Sequence, residues 1–360
     1  MATRASRSKR DRSGEGTVAS SKKKDHITPA EGAEGWVAEA GAAERLAACK
    51  GRDISPEQYA IQAKLFRKEW ERLFASDFGD FEQTTKIPPM RFTDVPAPGD
   101  SFKMHTLQIF SVKIAKLKEG IQWPLHVFGK VAIRDPVDRN RNLIFNRERD
   151  NCQILTQKNQ SLALIGPTRA VVLLLSVNFE VELKVKGPTE SEDKDLSYLA
   201  ERIGHFRPSN ASLQELAYNS NLCTLLFTYG HIPFSVEATI SVQVIDGSWH
   251  GFGGEIFACT ASFLQEVFLL DSGEKEMPVS GGGMINLSRE VVSVESKGKL
   301  TVYVKVWSGH SGNFIMMKRK EFIPKEAGRS HGFINVGFCK MKVNVAWSLL
   351  SAEPPTEGEL

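Results

Sequence analysis

The chain has 360 residues, 41% of them hydrophobic and 25% charged, with a formal net charge of +3. These are the proportions of an ordinary soluble protein with room for two modest domains and a tail. No apolar run approaches the roughly 18–20 residues of a bilayer span, and the N-terminus lacks the apolar core of a secretory signal, so no membrane association is expected.

The charge is unevenly spread. Residues 1–24 carry eight Lys and Arg against Asp11 and Glu15, a balance of +6 that leaves −3 for the remainder. A near-neutral folded part argues against a surface built to grip nucleic acid, leaving weak contact through the basic tail. Residues 1–54, rich in Ala, Gly, Ser, Lys and Glu, read as a disordered basic tail. Its SKRDR and SKKK clusters suit a nuclear address or a loose polyanion contact. Its Ser/Arg-rich opening suits a plastid transit peptide, against which Asp11, Glu15 and Asp25 count. The five cysteines, Cys49, Cys152, Cys223, Cys259 and Cys339, are scattered, odd in number and without a CxxC pair. They point to reduced thiols in a cytoplasmic or nuclear setting, with the plastid as the alternative.

Residues 55–99 predict an amphipathic helix followed by a Pro-rich linker. Ser55 is an N-cap, Pro56 fits the first helical position and Gln58 completes a capping box. Tyr59, Ala63, Phe66, Trp70, Leu73 and Phe74 fall on one face and predict docking on a larger body. IPPMRFTD then reads as extended and VPAPG as a linker.

From about residue 104 the pattern becomes that of strands, at 107–114, 125–134, 162–165, 171–175 and 179–186. In the last of these Phe179, Val181, Leu183 and Val185 alternate with charged residues. GPTESEDKD follows as an acidic loop and 196–203 as a short helix. Strands resume at 224–229, 235–246, 255–260, 266–270, 290–295, 300–307, 314–323 and 339–349, with Gly298 marking a hairpin and 352–360 fraying.

An internal echo organises these strands. TRAVVLLLSVNFEVELKV (168–185) matches SREVVSVESKGKLTVYVKV (288–306), pairing Arg169 with Arg289 at an offset of 120 and Val181 with Val302 at 121. Leu164/Leu287, Phe145/Phe268 and Gly129/Gly254 extend the match upstream. The expected fold is all-β, with duplicated β-sandwich-like units over 100–232 and 233–351. Segment 235–246 resembles both 107–114 and 339–349, so it can close the first unit and open the second as a shared strand.

TKIPPMRFTD, LQIFSVKI, the block from WPLHVFGKVAIRD to NCQILT, LIGPTRAVV, FEVELKVKGPTESEDKDLS, SVEATISVQVIDGSW, LSREVVSVES and CKMKVNVAWSL carry a further signal. Over about residues 75–350 the chain resembles a grass-abundant plant domain family of unknown function. That family is found alone or fused to ribosome-inactivating rRNA N-glycosidase domains. Residues 172–178 (VLLLSVN) depart from it by being more apolar. The resemblance implies a setting in plant stress or defence and carries over no catalytic residue.

Glu326-Ala327-Gly328-Arg329 echoes the helical Glu-Ala-x-Arg element of such glycosidases, but Pro324, Gly328 and the absence of helical periodicity make it a loop capping a strand. Gly309-His310-Ser311-Gly312 lacks the second glycine of a nucleophile elbow, and Gly281-Gly282-Gly283 lacks the lysine of a phosphate loop. The eight histidines show no metal-binding spacing.

The densest polar stretch is 134–150. Arg139, Arg141, Arg147 and Arg149 are the candidate binding residues there, because guanidinium forks suit phosphate, carboxylate or sugar contacts. The competing reading is a loop pinned by its own ion pairs through Asp135, Asp138 or Asp150. The arginines would also compete with calcium at Asp135 and Asp138. Glu190, Glu192, Asp193 and Asp195 read as solvated surface.

The sequence thus predicts a non-enzymatic binding or interaction module for a protein partner. The alternative is a carbohydrate- or anion-recognition accessory domain without glycosidase activity. No catalytic residue, cofactor or metal is expected.

Overall fold

The computed structural model describes residues 54–99, 101–174, 176–204, 210–273, 275–309 and 312–354. The expected basic tail, apart from its last residue, and most of 352–360 lie outside them.

Helix α1 (Pro56–Phe78) begins as its sequence dictates. The Gln58 amide N–H donates to the Ser55 hydroxyl, and the Gln58 side chain accepts from the Ser55 N–H at 2.9 Å. Tyr59, Ala63 and Trp70 are buried, whereas Leu73, expected on the same face, is exposed. No described helix is long and apolar enough to cross a membrane.

Among the described residues sixteen strands follow, every pairing between them antiparallel. The first eight are β1 (Met104–Leu117), β2 (Leu125–Arg134), β3 (Asn142–Arg147), β4 (Gln153–Leu155), β5 (Val171–Val172), β6 (Ser176–Val185), β7 (Lys194–Gly204) and β8 (Ser212–Asn219). Next come β9 (Cys223–Gly247), β10 (Phe252–Thr260), β11 (Val267–Asp271) and β12 (Val291–Glu295). The last are β13 (Leu300–Ser308), β14 (Phe314–Phe322), β15 (Ala327–Asn335) and β16 (Cys339–Ser348).

The topology repeats. In the first half β5-β1-β9-β8 forms one layer and β3-β2-β6-β7 the other, with β4 added to β2. In the second half β12-β9-β16-β15 faces β11-β10-β13-β14. Val181 lies on the third strand of its layer and Val302 on the third strand of the matching layer. The two halves meet in β9. Its first part, up to Ser235, pairs with β1, and from Glu237 onward it pairs with β16, so the two central layers fuse into one sheet. Core residues Val127, Val131, Phe179, Val181 and Phe227 fill the first sandwich; Ile240, Val242, Ile256, Val302 and Trp347 fill the second. Burying each such side chain contributes about 1.5–3 kcal/mol.

Several local expectations change. Residues 196–203, expected as a helix, lie within β7, because edge-to-edge pairing with β6 overrides a weak helical preference. Residues 162–165 pack Leu162 and Leu164 inward without forming a strand. The Gly298 turn is not a hairpin: β12 pairs with β9 and β13 with β10, so the chain arches between layers there. β3, β4, β8 and β15 were not legible in the sequence, since each is short, polar or partly exposed. Glu326-Ala327-Gly328-Arg329 runs into β15, with Arg329 ion-paired to Asp94 and Glu326 to Lys103, an extended arrangement and not a helical one.

Residues 81–94 form a strap across both halves. Arg141 N–H donates to Gln83 O at 3.1 Å, Met90 N–H to the Glu237 carboxylate at 2.7 Å and Phe92 N–H to the Ser348 hydroxyl at 3.0 Å.

Candidate polar groove on the outer face of the first sandwich

Strand alternation sets the outer face of the β3-β2-β6-β7 layer. Val127, Val131, Val181 and Leu183 point into the core, so Phe128, Lys130 and Arg134 on β2 and Glu180, Glu182 and Lys184 on β6 face outward. Cross-strand register places Phe128 beside Lys184 and Lys130 beside Glu182.

One end of this face is covered by α1 and the strap. Arg134 is buried with its guanidinium 4.9 Å from the Trp70 ring and 4.1 Å from the Phe81 ring. It donates to Glu180 at 2.8 Å, to the Arg139 carbonyl at 2.9 Å and to the Phe81 carbonyl at 2.6 Å. Burial lowers its pKa, only partly countered by Glu180. Arg141 donates to Glu180 at 3.0 and 2.5 Å and also pairs with Glu82. Burial works against its charge, but Glu180 and Glu82 outweigh that cost and raise its pKa. Behind this cluster Arg169 donates to Asp135 at 2.6 and 2.9 Å and to Asp138 at 3.1 Å. Asp135 and Asp138 are thus committed to Arg169.

The other end is open. A groove of about 530 Å³ lies there, lined by Phe128, Lys130, Asn146, Arg147, Glu182 and Lys184 among others. Gly129, at φ 115°, forms part of it, and a Cβ on this residue would sit 2.1 Å from the Glu182 carbonyl oxygen. Glycine is therefore required for β2 and β6 to approach so closely. The buried Arg147 Nε and Asn146 Oδ1 have no hydrogen-bond partner among the described residues.

The structure separates the four candidate arginines. Arg141 is a buried element of the helix dock, paired with Glu180 and Glu82 instead of the nearby aspartates. Arg139, at φ 57°, is half-buried with its cation 5.0 Å from the Phe74 ring. Burial lowers its pKa, against the pull of Asp135. Arg149 lines the groove but is held by Asp193 at 2.9 and 3.1 Å and by the Gly187 carbonyl. Arg147 also lines the groove, and no ion pair holds it among the described residues. Asp193, read as solvated surface, is instead the anchor of Arg149. Sequence reasoning missed Phe128, Lys130, Asn146 and Lys184. Their one signal is an aromatic at an outward position of a strand whose neighbours on that face are charged.

Burial pushes the thiols of Cys223 up to about 12 and of Cys259 and Cys339 up to about 11, which suppresses their nucleophilicity. No group of three or more metal-ligating side chains is gathered among the described residues.

The fold and this face define a two-unit antiparallel β-sandwich protein with a helix-capped outer layer and a polar groove. The chain belongs to the family described as domain of unknown function DUF6598, whose profile it matches over residues 106–345. No curated protein matches it. Among solved structures it is similar to the C2A and C2B domains of Extended-Synaptotagmin 2. There the TM-score is 0.25 and the identity 9%, over 72% of this chain and 96% of that one. It is also similar to human GIVD cytosolic phospholipase A2, with a TM-score of 0.23 and 7% identity over 70% of this chain and 31% of that one.

Proposed function

We propose that the chain is a non-catalytic recognition module that binds carbohydrate in the groove over β2, β3 and β6. The observation that carries this reading is the conjunction in one groove of the half-exposed Phe128 ring with Arg147 and Asn146, whose buried Nε and Oδ1 have no hydrogen-bond partner among the described residues. Sugars present hydroxyls that both donate and accept, together with an apolar ring face. A groove holding amide, carboxylate, cation and aromatic groups side by side answers all of these. The lining carries Lys130, Arg147, Arg149 and Lys184 against Glu82, Glu148, Glu182, Glu190 and Asp193. That balance favours a neutral polyhydroxylated ligand over a strongly anionic one. The family resemblance adds a plant setting in stress or defence, in the cytoplasm or nucleus or in the plastid.

Titration of the protein with a panel of neutral, uronic and sulfated oligosaccharides tests the reading. Saturable binding of a neutral oligosaccharide is expected, weakened about tenfold or more by Phe128→Ala and by Asn146→Ala, the loss of one stacking or hydrogen-bond contact. The sugar should be recovered uncleaved. Absence of binding across the panel, or binding indifferent to both substitutions, overturns it.

A further inference from the structure

The second sandwich carries an edge unlike the others. β14 ends its layer, paired on one side to β13 and, among the described residues, hydrogen-bonded to no strand on the other, although Gly332 of β15 packs against the Lys320 side chain. Its residues Phe314–Phe322 are exposed on both faces, apart from the half-buried Met316 and the buried Phe322. Phe314, Ile315 and Met317 are 61%, 40% and 50% exposed. Lys318, Arg319 and Lys320 follow directly and are also exposed. Lys318 and Lys320 enter no ion pair among the described residues, and Arg319 reaches Glu321 only at 3.9 Å. The strand therefore offers an apolar half, a cationic half and a row of backbone donors and acceptors that pairs with no strand among the described residues.

Cationic side chains on an edge discourage pairing with an identical strand. An antiparallel copy aligned over the whole of β14 sets Lys318 opposite Lys318, with Arg319 and Lys320 beside it, and a parallel in-register copy sets every cation on itself. The same charges favour a strand of opposite sign. A strand added at the edge would also flank the apolar residues on both faces.

We propose that β14 is a docking edge for an extended, acidic segment of another protein. That segment adds as a further antiparallel strand, with carboxylates opposite Lys318, Arg319 and Lys320 and apolar residues opposite Phe314, Ile315 and Met317. This surface belongs to the second sandwich and is independent of the groove.

The test uses the full chain and two short synthetic β-strand peptides with the same apolar residues, one carrying glutamates and the other lysines at the charged positions. Fluorescence anisotropy and amide hydrogen exchange are the readouts. The acidic peptide is expected to bind and to slow exchange in β14, with affinity falling as salt rises. The lysine peptide is expected to bind at least about tenfold more weakly, the difference of two or three facing charge pairs. Lys318→Glu with Arg319→Glu, at exposed positions, should invert that preference. Wild-type salt dependence gives a parallel reading should the variant misfold. The proposal is overturned by equal binding of both peptides, by protection outside β14, or by no binding at all, which would leave the cations serving only to keep the edge unpaired.

Discussion

Arg169 and Arg289 occupy the same point of the two halves, each two residues ahead of a strand that joins the fused sheet, and only one of them is neutralised. Arg169 meets Asp135 in a bidentate pair and Asp138 beside it. Arg289, 2% exposed, donates to the Ile109 carbonyl at 2.8 Å and leaves its Nε without a partner among the described residues. Burial drives its pKa down to about 10.

Arg289→Met should therefore leave the protein equally stable or more stable by about 1–3 kcal/mol, whereas Arg169→Met, which strands two buried carboxylates, should cost about 3–5 kcal/mol. Because the folded pKa of Arg289 lies below the ordinary value of an exposed arginine, the native state releases its proton first as pH rises. The cost of the buried charge is then relieved above about pH 10, and the advantage of Arg289→Met should shrink there. Urea denaturation of both variants across pH checks this; a large loss in Arg289→Met contradicts it.

Trp70 is the keystone of the helix dock, packed edge-to-face with Phe81 at 5.4 Å between ring centroids, covering Arg134 and donating Nε1–H to the Arg139 carbonyl at 3.0 Å. Trp70→Ala is expected to cost about 3–5 kcal/mol by chemical denaturation. A loss within experimental error would show that the helix does not depend on the body.

Arg141→Ala should destabilise by about 3–5 kcal/mol, since Glu180 would keep a buried charge with one cation fewer, while Arg147→Ala should stay within about 0.5 kcal/mol. Melting curves compare the two directly. The reverse ranking would place the structural arginine in the groove and the free one in the dock.

Glu237 is buried and accepts the Met90 and Ala170 N–H groups, each at 2.7 Å. Burial raises its pKa above 4.5, against those hydrogen bonds and Arg169. The native state then holds a proton that the unfolded chain gives up, so this contribution falls as pH climbs from about 4.5 through the folded pKa. Glu237→Gln cannot titrate and should cost about 1–3 kcal/mol by weakening one of the two bonds. The wild-type advantage should be largest at the acid end of that window. An advantage that grows with pH would reverse the assignment.

What the sequence by itself determined is what local chemistry and periodicity express. Ser55, Pro56 and Gln58 specify the helix start because a capping box closes within four residues. Alternation in 179–186 specifies a half-buried strand, and the pairing of Val181 with Val302 exposes the repeat, because side-chain period and copied order survive in one dimension. Which layer a strand joins, which arginine is buried and where a groove opens depend instead on contacts between distant residues. Glu180 meets Arg134 across 46 positions and Glu82 meets Arg141 across 59, so a stretch that reads as one arginine-rich loop divides between a buried dock and an open groove. The tight turn at Gly298 is the same turn whether the chain folds back in its sheet or crosses to the facing one. Only the tertiary pairing of β12 with β9 and of β13 with β10 decided the crossing, because apolar strands seek whichever layer buries them.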